Sequence, residues 1–116
     1  MKRILLPLIL LLLIPALAFS HAGILNSTPP KNGIVTAPLE KITIKLGASV
    51  EPAFSRAEVF DPDDNKVSAK TTFLKDNRVM ESELKKNLAP GVYTVKWKFL
   101  SMDGHAVKGK YSFTIE

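Results

Sequence analysis

Cysteine is absent from the chain. No disulfide can brace the fold and no thiolate can act as nucleophile or metal ligand, so burial has to supply the stability. Histidine is almost as scarce, with His21 and His105 the only two. No Ser-His-Asp set, phosphate-cradling glycine loop or carboxylate pair suited to acid-base work can be picked out, which leaves hydrolysis and phosphoryl transfer without machinery. Dense basic runs are missing too: Lys41, Lys45, Lys96, Lys98, Lys108 and Lys110 stand singly. Spaced in this way they read as solvated strand faces, and no nucleic-acid partner is expected.

What is present begins with a leader. Lys2 and Arg3 precede an apolar run from Ile4 to Leu17, followed by small residues at Ala18 and Ser20. The run is interrupted by Pro7 and Pro15 and falls short of the roughly 20 apolar residues of a membrane span. Residues 1–20 therefore read as a cleaved export signal. Cleavage after Ser20 makes His21 the first residue of one mature domain, 21–116, whereas cleavage after Ala18 fits the small-x-small rule more closely and leaves Phe19 and Ser20 in front of it. Losing Lys2 and Arg3 leaves 14 basic against 11 acidic residues, a mild formal charge of +3.

From Lys41 onward apolar residues alternate at period two, and helical periodicity is hard to find. Ile42, Ile44 and Leu46 share one face of KITIKL, Tyr93, Val95, Trp97 and Phe99 one face of VYTVKWKF, and Tyr111, Phe113 and Ile115 one face of YSFTI. Weaker strands are expected at residues 57–60, 66–73 and 79–84, separated by DPDDN and by Asp76-Asn77. About seven short strands with one apolar face each predict an all-β fold, two antiparallel sheets packed as an immunoglobulin-like sandwich.

The segment SMDGH joins the last two strands. Asp-Gly signals a two-residue hairpin turn with His105 on the surface. That turn sets Met102 opposite His105 and inward Tyr111 opposite outward Lys96, so both strands turn their aromatics inward only if an extra residue enters. A longer loop around residues 103–105 supplies it, or a bulge, for which Gly109 is the natural place.

The two histidines also fit one ion. A terminal histidine offers its α-amine and its Nδ1 as a chelate, and Asp103 and His105, two residues apart, can project to one side of an extended segment. Three nitrogens and a carboxylate oxygen suit tetragonal Cu(II), whose affinity tops the divalent series; Zn(II) can use the same donors less tightly. Met80 and Met102 read as packing or loop residues rather than as thioether ligands for Cu(I). Glu51 is a strand-end carboxylate that can also tune such an ion from its surroundings, and Trp97 reads as core.

With these residues in view, the chain resembles the copper-resistance CopC family. The resemblance rests on HAGILNSTPPKNG at the new terminus, on APLEKITIKL, and most specifically on PGVYTVKWKFLSMDGHAVKGKYSFTI, with its aromatic strand, S-x-D-x-H segment and G-x-Y-x-F strand. It implies a cupredoxin-like or immunoglobulin-like Greek-key barrel or sandwich, and Cu(II) held by His21, Asp103 and His105. It also implies a periplasmic carrier or buffer in copper homeostasis or resistance, not an enzyme, and a CopD-type membrane partner. Some members hold Cu(I) in a methionine-rich loop with a further histidine; the corresponding GASVEPAFSRAEV has neither residue, which resembles a Cu(II)-only branch. Two rival readings are a copper oxygenase built on a terminal histidine brace, which needs open positions for oxygen, and an immunoglobulin-like interaction module whose histidines are incidental.

Overall fold

A computed structural model of the protein describes residues 23–36 and 38–116, so the leader and His21 lie outside the described residues. Eight strands follow in order: β1 (Ile24–Thr28), β2 (Ile34–Val35), β3 (Lys41–Leu46), β4 (Arg56–Phe60), β5 (Thr72–Leu74), β6 (Val79–Glu83), β7 (Gly91–Leu100) and β8 (Ala106–Ile115), with one 3-10 turn over Pro52–Phe54. They form two four-stranded sheets, ordered β1-β3-β6-β5 and β2-β8-β7-β4. The apolar positions of the alternating strands meet between the sheets: Ile42, Ile44 and Leu46 of β3 and Met80 of β6 on one side, Ala57, Val59, Tyr93, Val95, Trp97, Phe99, Tyr111, Phe113 and Ile115 on the other, all buried. Each large side chain buried in this way contributes roughly 1.5–3 kcal/mol, which is how a chain without disulfides holds together. Tyr93 stacks on Phe113 with centroids 5.7 Å apart, and its hydroxyl donates to the Ala89 carbonyl at 2.6 Å, the tyrosine corner of immunoglobulin-like sandwiches.

Two expectations need correction. The sheets are not wholly antiparallel, because β2 pairs with β8 in parallel. Residues 66–73 are not one strand: Lys66 bridges Phe60 in one sheet, Ser68 bridges Leu84 in the other, and only residues 72–74 enter a ladder. This segment instead crosses the free edge of β4, where two of its hydroxyls and one of its backbone amides, together with Ser82 of β6, replace a neighbouring strand. The Ala57 N–H donates to Thr71 Oγ1 at 2.9 Å, the Ala57 carbonyl accepts Ser82 Oγ at 2.7 Å, and the Val59 N–H donates to Ser68 Oγ at 2.9 Å. The Val59 carbonyl accepts the Val67 N–H at 2.8 Å. Every outward backbone group of Ala57 and Val59 is thus occupied, as buried backbone polar groups require.

In the last hairpin the structure chooses between the two alternatives, the longer loop and the bulge. The register runs unbroken from Gly91↔Ile115 to Leu100↔Ala106, with the Ser101 N–H donating to the His105 carbonyl at 2.9 Å. The extra residue therefore sits in a three-residue tip, Met102 to Gly104, and Gly109 makes no bulge. Gly104 takes φ +94°, the left-handed position that such a loop assigns to glycine. Gly109 answers a different demand, since a Cβ there would lie 2.5 Å from Trp97 Cζ2; its bare backbone is the seat of the indole.

Candidate metal centre

The tip of the β7-β8 hairpin is organised by one hydroxyl. Ser101 Oγ donates to Asp103 Oδ1 and accepts the His105 backbone N–H at 3.1 Å. Asp103 Oδ1 also accepts the His105 backbone N–H at 3.3 Å and meets His105 Nδ1 at 3.0 Å. These donors favour the ionised carboxylate, and the Asp103 carboxyl is held down to about 2 from its ordinary 3.8, chiefly by Ser101, then by the side chain and backbone of His105. The carboxylate's hydrogen bonds all fall on Oδ1 and the imidazole's on Nδ1, so Oδ2 and Nε2 take no part in them. The side chains are 69% and 80% exposed, so a dissolved ion can reach both.

Sequence reasoning brought Asp103 and His105 together by extension of the segment; the structure brings them together by a turn. It gave Ser101 no role, although the residue opens the S-x-D-x-H segment, because a hydroxyl that orients a carboxylate carries no periodic or charge signal.

The hairpin tip is moored to both sheets. Glu51 N–H donates to the Leu100 carbonyl at 2.8 Å and Met102 N–H to the Ser49 carbonyl at 3.2 Å, while Val50 bridges Ser101. On its other side the same loop is tied to the β5-β6 turn, with Ser49 Oγ donating to the Asp76 carbonyl at 2.8 Å and Val50 N–H to the Asn77 carbonyl at 3.0 Å. Glu51 thus stands beside the hairpin through its backbone, and among the described residues its carboxylate makes no ion pair. Met80 is fully buried, as expected of packing, whereas Met102 is exposed at the tip. Trp97 is core, 8% exposed, and stacks on Phe99 with centroids 5.7 Å apart.

His21 lies outside the described residues, and the described chain begins at Gly23. Gly23 is packed where a Cβ would meet Phe99 Cζ at 2.6 Å, and its carbonyl accepts the Gly47 N–H at 2.8 Å. Phe99 pairs with Val107, one rung below the last pair of the hairpin. The start of the described chain and the Asp103–His105 pair therefore occupy the same end of the sandwich.

A family model described as the CopC domain matches residues 24–116. Among curated proteins, the chain is 34% identical over 102 residues to protein YobA of Escherichia coli K12, covering 84% of this chain and 81% of that one. It is 31% identical over 108 residues to copper resistance protein C of Xanthomonas campestris pv. juglandis, covering 87% and 84%. It is also 34% identical to copper transport protein CutJ of Bacillus subtilis, where 93% of this chain spans only 20% of the relative's length. Among solved structures it is similar to CopC from Methylosinus trichosporium OB3b, with a TM-score of 0.74 and 32% identity over 83% of this chain and 94% of the other. It is also similar to PcoC, a methionine-rich copper resistance protein from Escherichia coli, at 0.71 and 26% over 81% and 97%.

Proposed function

The chain belongs to the CopC family, and from that membership we propose that it is an exported copper carrier or buffer, not an enzyme, that holds one Cu(II) ion through His21, Asp103 and His105. The observation that carries the reading is the Asp103 Oδ1 to His105 Nδ1 contact at 3.0 Å. A carboxylate that holds one ring nitrogen fixes the tautomer and the ring orientation and leaves Nε2 for a metal, while its Oδ2 supplies negative charge at the same place. Two of the relatives are a copper transport protein and a copper resistance protein, which supports copper as the cargo.

The third part of the site is the amino terminus. Export and cleavage after Ser20 make the His21 α-amine available, and two residues of chain reach at most about 7 Å from Gly23, which is already seated at the hairpin end. Two nitrogens from His21, one from His105 and an oxygen from Asp103 form the kind of set that Cu(II) prefers among divalent ions. No thiolate competes to reduce or trap the ion, since the chain has no cysteine. The periplasm is the compartment this reading implies. A CopD-type membrane protein is the recipient or source it implies; a domain like this chain making up a fifth of copper transport protein CutJ supports such a partnership.

The test is intact mass of the exported protein with and without Cu(II), alongside competition titration. One copper per chain beginning at His21 is expected. His105→Ala should lose more than the roughly 100-fold typical of residues that merely orient a ligand, and one added residue before His21 should abolish the amine chelate. Unchanged affinity in both variants would refute the site.

A further inference from the structure

The lysines that stand singly in the sequence are gathered by the fold. Lys96 and Lys98 of β7 and Lys108 and Lys110 of β8 occupy the outer positions of their strands, and the register sets Lys96 opposite Lys110 and Lys98 opposite Lys108. On the other side of β7, Arg56 of β4 lies opposite Lys98 and Glu58 opposite Lys96. Arg56, Lys98 and Lys108 therefore form one row across three strands with no acid between them. The compensation is small: Glu58 is shared by Arg56 and Lys66 at 3.3 Å each, and Asp64 reaches Lys96 at 3.8 Å. Among the described residues Lys98, Lys108 and Lys110 have no ion pair.

Like charges directly opposite one another destabilise a ladder, and edge protection does not explain the whole set. Lysine guards unpaired edges, which accounts for Lys108 and Lys110, since β2 covers β8 only at Thr114 and Ile115, but Lys96 and Lys98 lie on β7, which is paired on both sides. The rows also lack what a tight protein interface needs, a buried aromatic or arginine anchor in a pocket, and lysine is depleted from such interfaces. They lack the stacked aromatics that single-stranded nucleic acid uses: Phe60, the aromatic on this face, has its ring covered by Lys96 Nζ at 4.4 Å from the centroid. What remains is a grid of flexible point charges, which matches a diffuse, fluid layer of anionic headgroups.

We infer that the outer face of the β2-β8-β7-β4 sheet, centred on Lys98, Lys108 and Lys110, is an electrostatic docking surface for an anionic phospholipid bilayer. Docking there sets the hairpin tip beside the membrane, because Lys108 lies two residues into β8 from the end that carries His105. The contact is reversible and screened by salt, with a reach of about 10 Å at 0.1 M and about 3 Å at 1 M ionic strength.

The experiment is co-sedimentation of the exported protein, without added copper, with vesicles of phosphatidylcholine alone or mixed with phosphatidylglycerol. The omission of copper lets it stand or fall separately from the metal site. Binding to the mixed vesicles alone is expected, with loss at 1 M salt. The triple variant Lys98→Gln, Lys108→Gln, Lys110→Gln should bind about a hundredfold more weakly, the general scale for three basic residues near an anionic leaflet. The equally discharged variant Lys41→Gln, Lys45→Gln, Lys85→Gln should bind as the parent does, both variants being checked by circular dichroism. Equal loss in the two variants would assign the effect to net charge and overturn the proposal. So would salt-resistant binding to neutral vesicles, the mark of an apolar leader, or capture by polyglutamate or DNA without binding to the mixed vesicles.

Discussion

Replacing Gly109 with alanine sets two opposing effects against each other. In an unstrained strand position the change should stabilise by about 0.4–1 kcal/mol, because alanine has less backbone freedom to lose on folding. Here the new methyl falls 2.5 Å from Trp97 Cζ2 and 3.1 Å from Cε2 and Cη2, where carbon atoms rest at about 3.5–4.0 Å. Relief requires the indole to retreat by about 1 Å, and Phe99 stacks against it with an interplanar angle of 18°. Overpacking of this kind costs about 1–3 kcal/mol, so the clash outweighs the entropy gain. For a domain of this size each kcal/mol shifts the midpoint by about 4–8 °C, and a fall of about 5–15 °C is expected in thermal unfolding followed by circular dichroism. Trp97→Phe, which removes the colliding ring edge, should couple to Gly109→Ala by about 1 kcal/mol or more in a double-mutant cycle. A midpoint equal to or above that of the parent, or strict additivity, would refute the seat assigned to the indole.

Ser101→Ala should leave the fold intact and weaken Cu(II) by about 10- to 100-fold, the scale for a group that orients a ligand, with Ser101→Thr recovering most of it; competition titration of the two variants checks this. The same alanine variant should let the Asp103 carboxyl titrate closer to 3.8 than to its present value of about 2, measurable by carboxyl-carbon NMR. The depressed value also fixes a sign: the carboxylate's contribution to hairpin order is present above the unfolded value of 3.8 and is lost as pH falls through about 2. Between pH 5 and 8 Asp103 therefore takes up no proton, so for the proposed site copper affinity should fall on acidification through the nitrogen ligands, which must be deprotonated to bind a metal. Affinity that stays constant from pH 5 to 8 would rule out a nitrogen-dominated ligand set.

Strands β3, β7 and β8 were legible because each buries one face against the opposite sheet, and a period of two is the direct imprint of that burial. Register reasoning on the last hairpin was sufficient to demand one extra residue, but not to locate it, since Gly109 suits a bulge and a tryptophan seat equally well until Trp97 is seen lying across it. Strand β1 left no pattern: Leu25 is 70% exposed, and the strand is held by backbone pairing to β3 with a register shift between Ile24 and Asn26. Residues 66–73 look strand-like in composition, yet Ser68 and Thr71 use their hydroxyls on another strand's backbone, a partnership with no local signature. Of the candidate site, the Asp103–His105 pair is where spacing pointed, while Ser101 and the mooring through Ser49 and Val50 exist only once distant loops converge. The basic rows are hidden for the same reason, since cross-strand neighbours are far apart along the chain.

The hydroxyl seal along β4 has a consequence for behaviour in a crowded compartment. β proteins are prone to polymerise by adding one copy's margin to the next, and each such joint begins with vacant amides. At Ala57 and Val59 none is on offer, and the seal is made of neutral hydroxyls and one backbone amide, so neither salt nor acid unfastens it. The protein can accumulate without seeding fibrils from that margin.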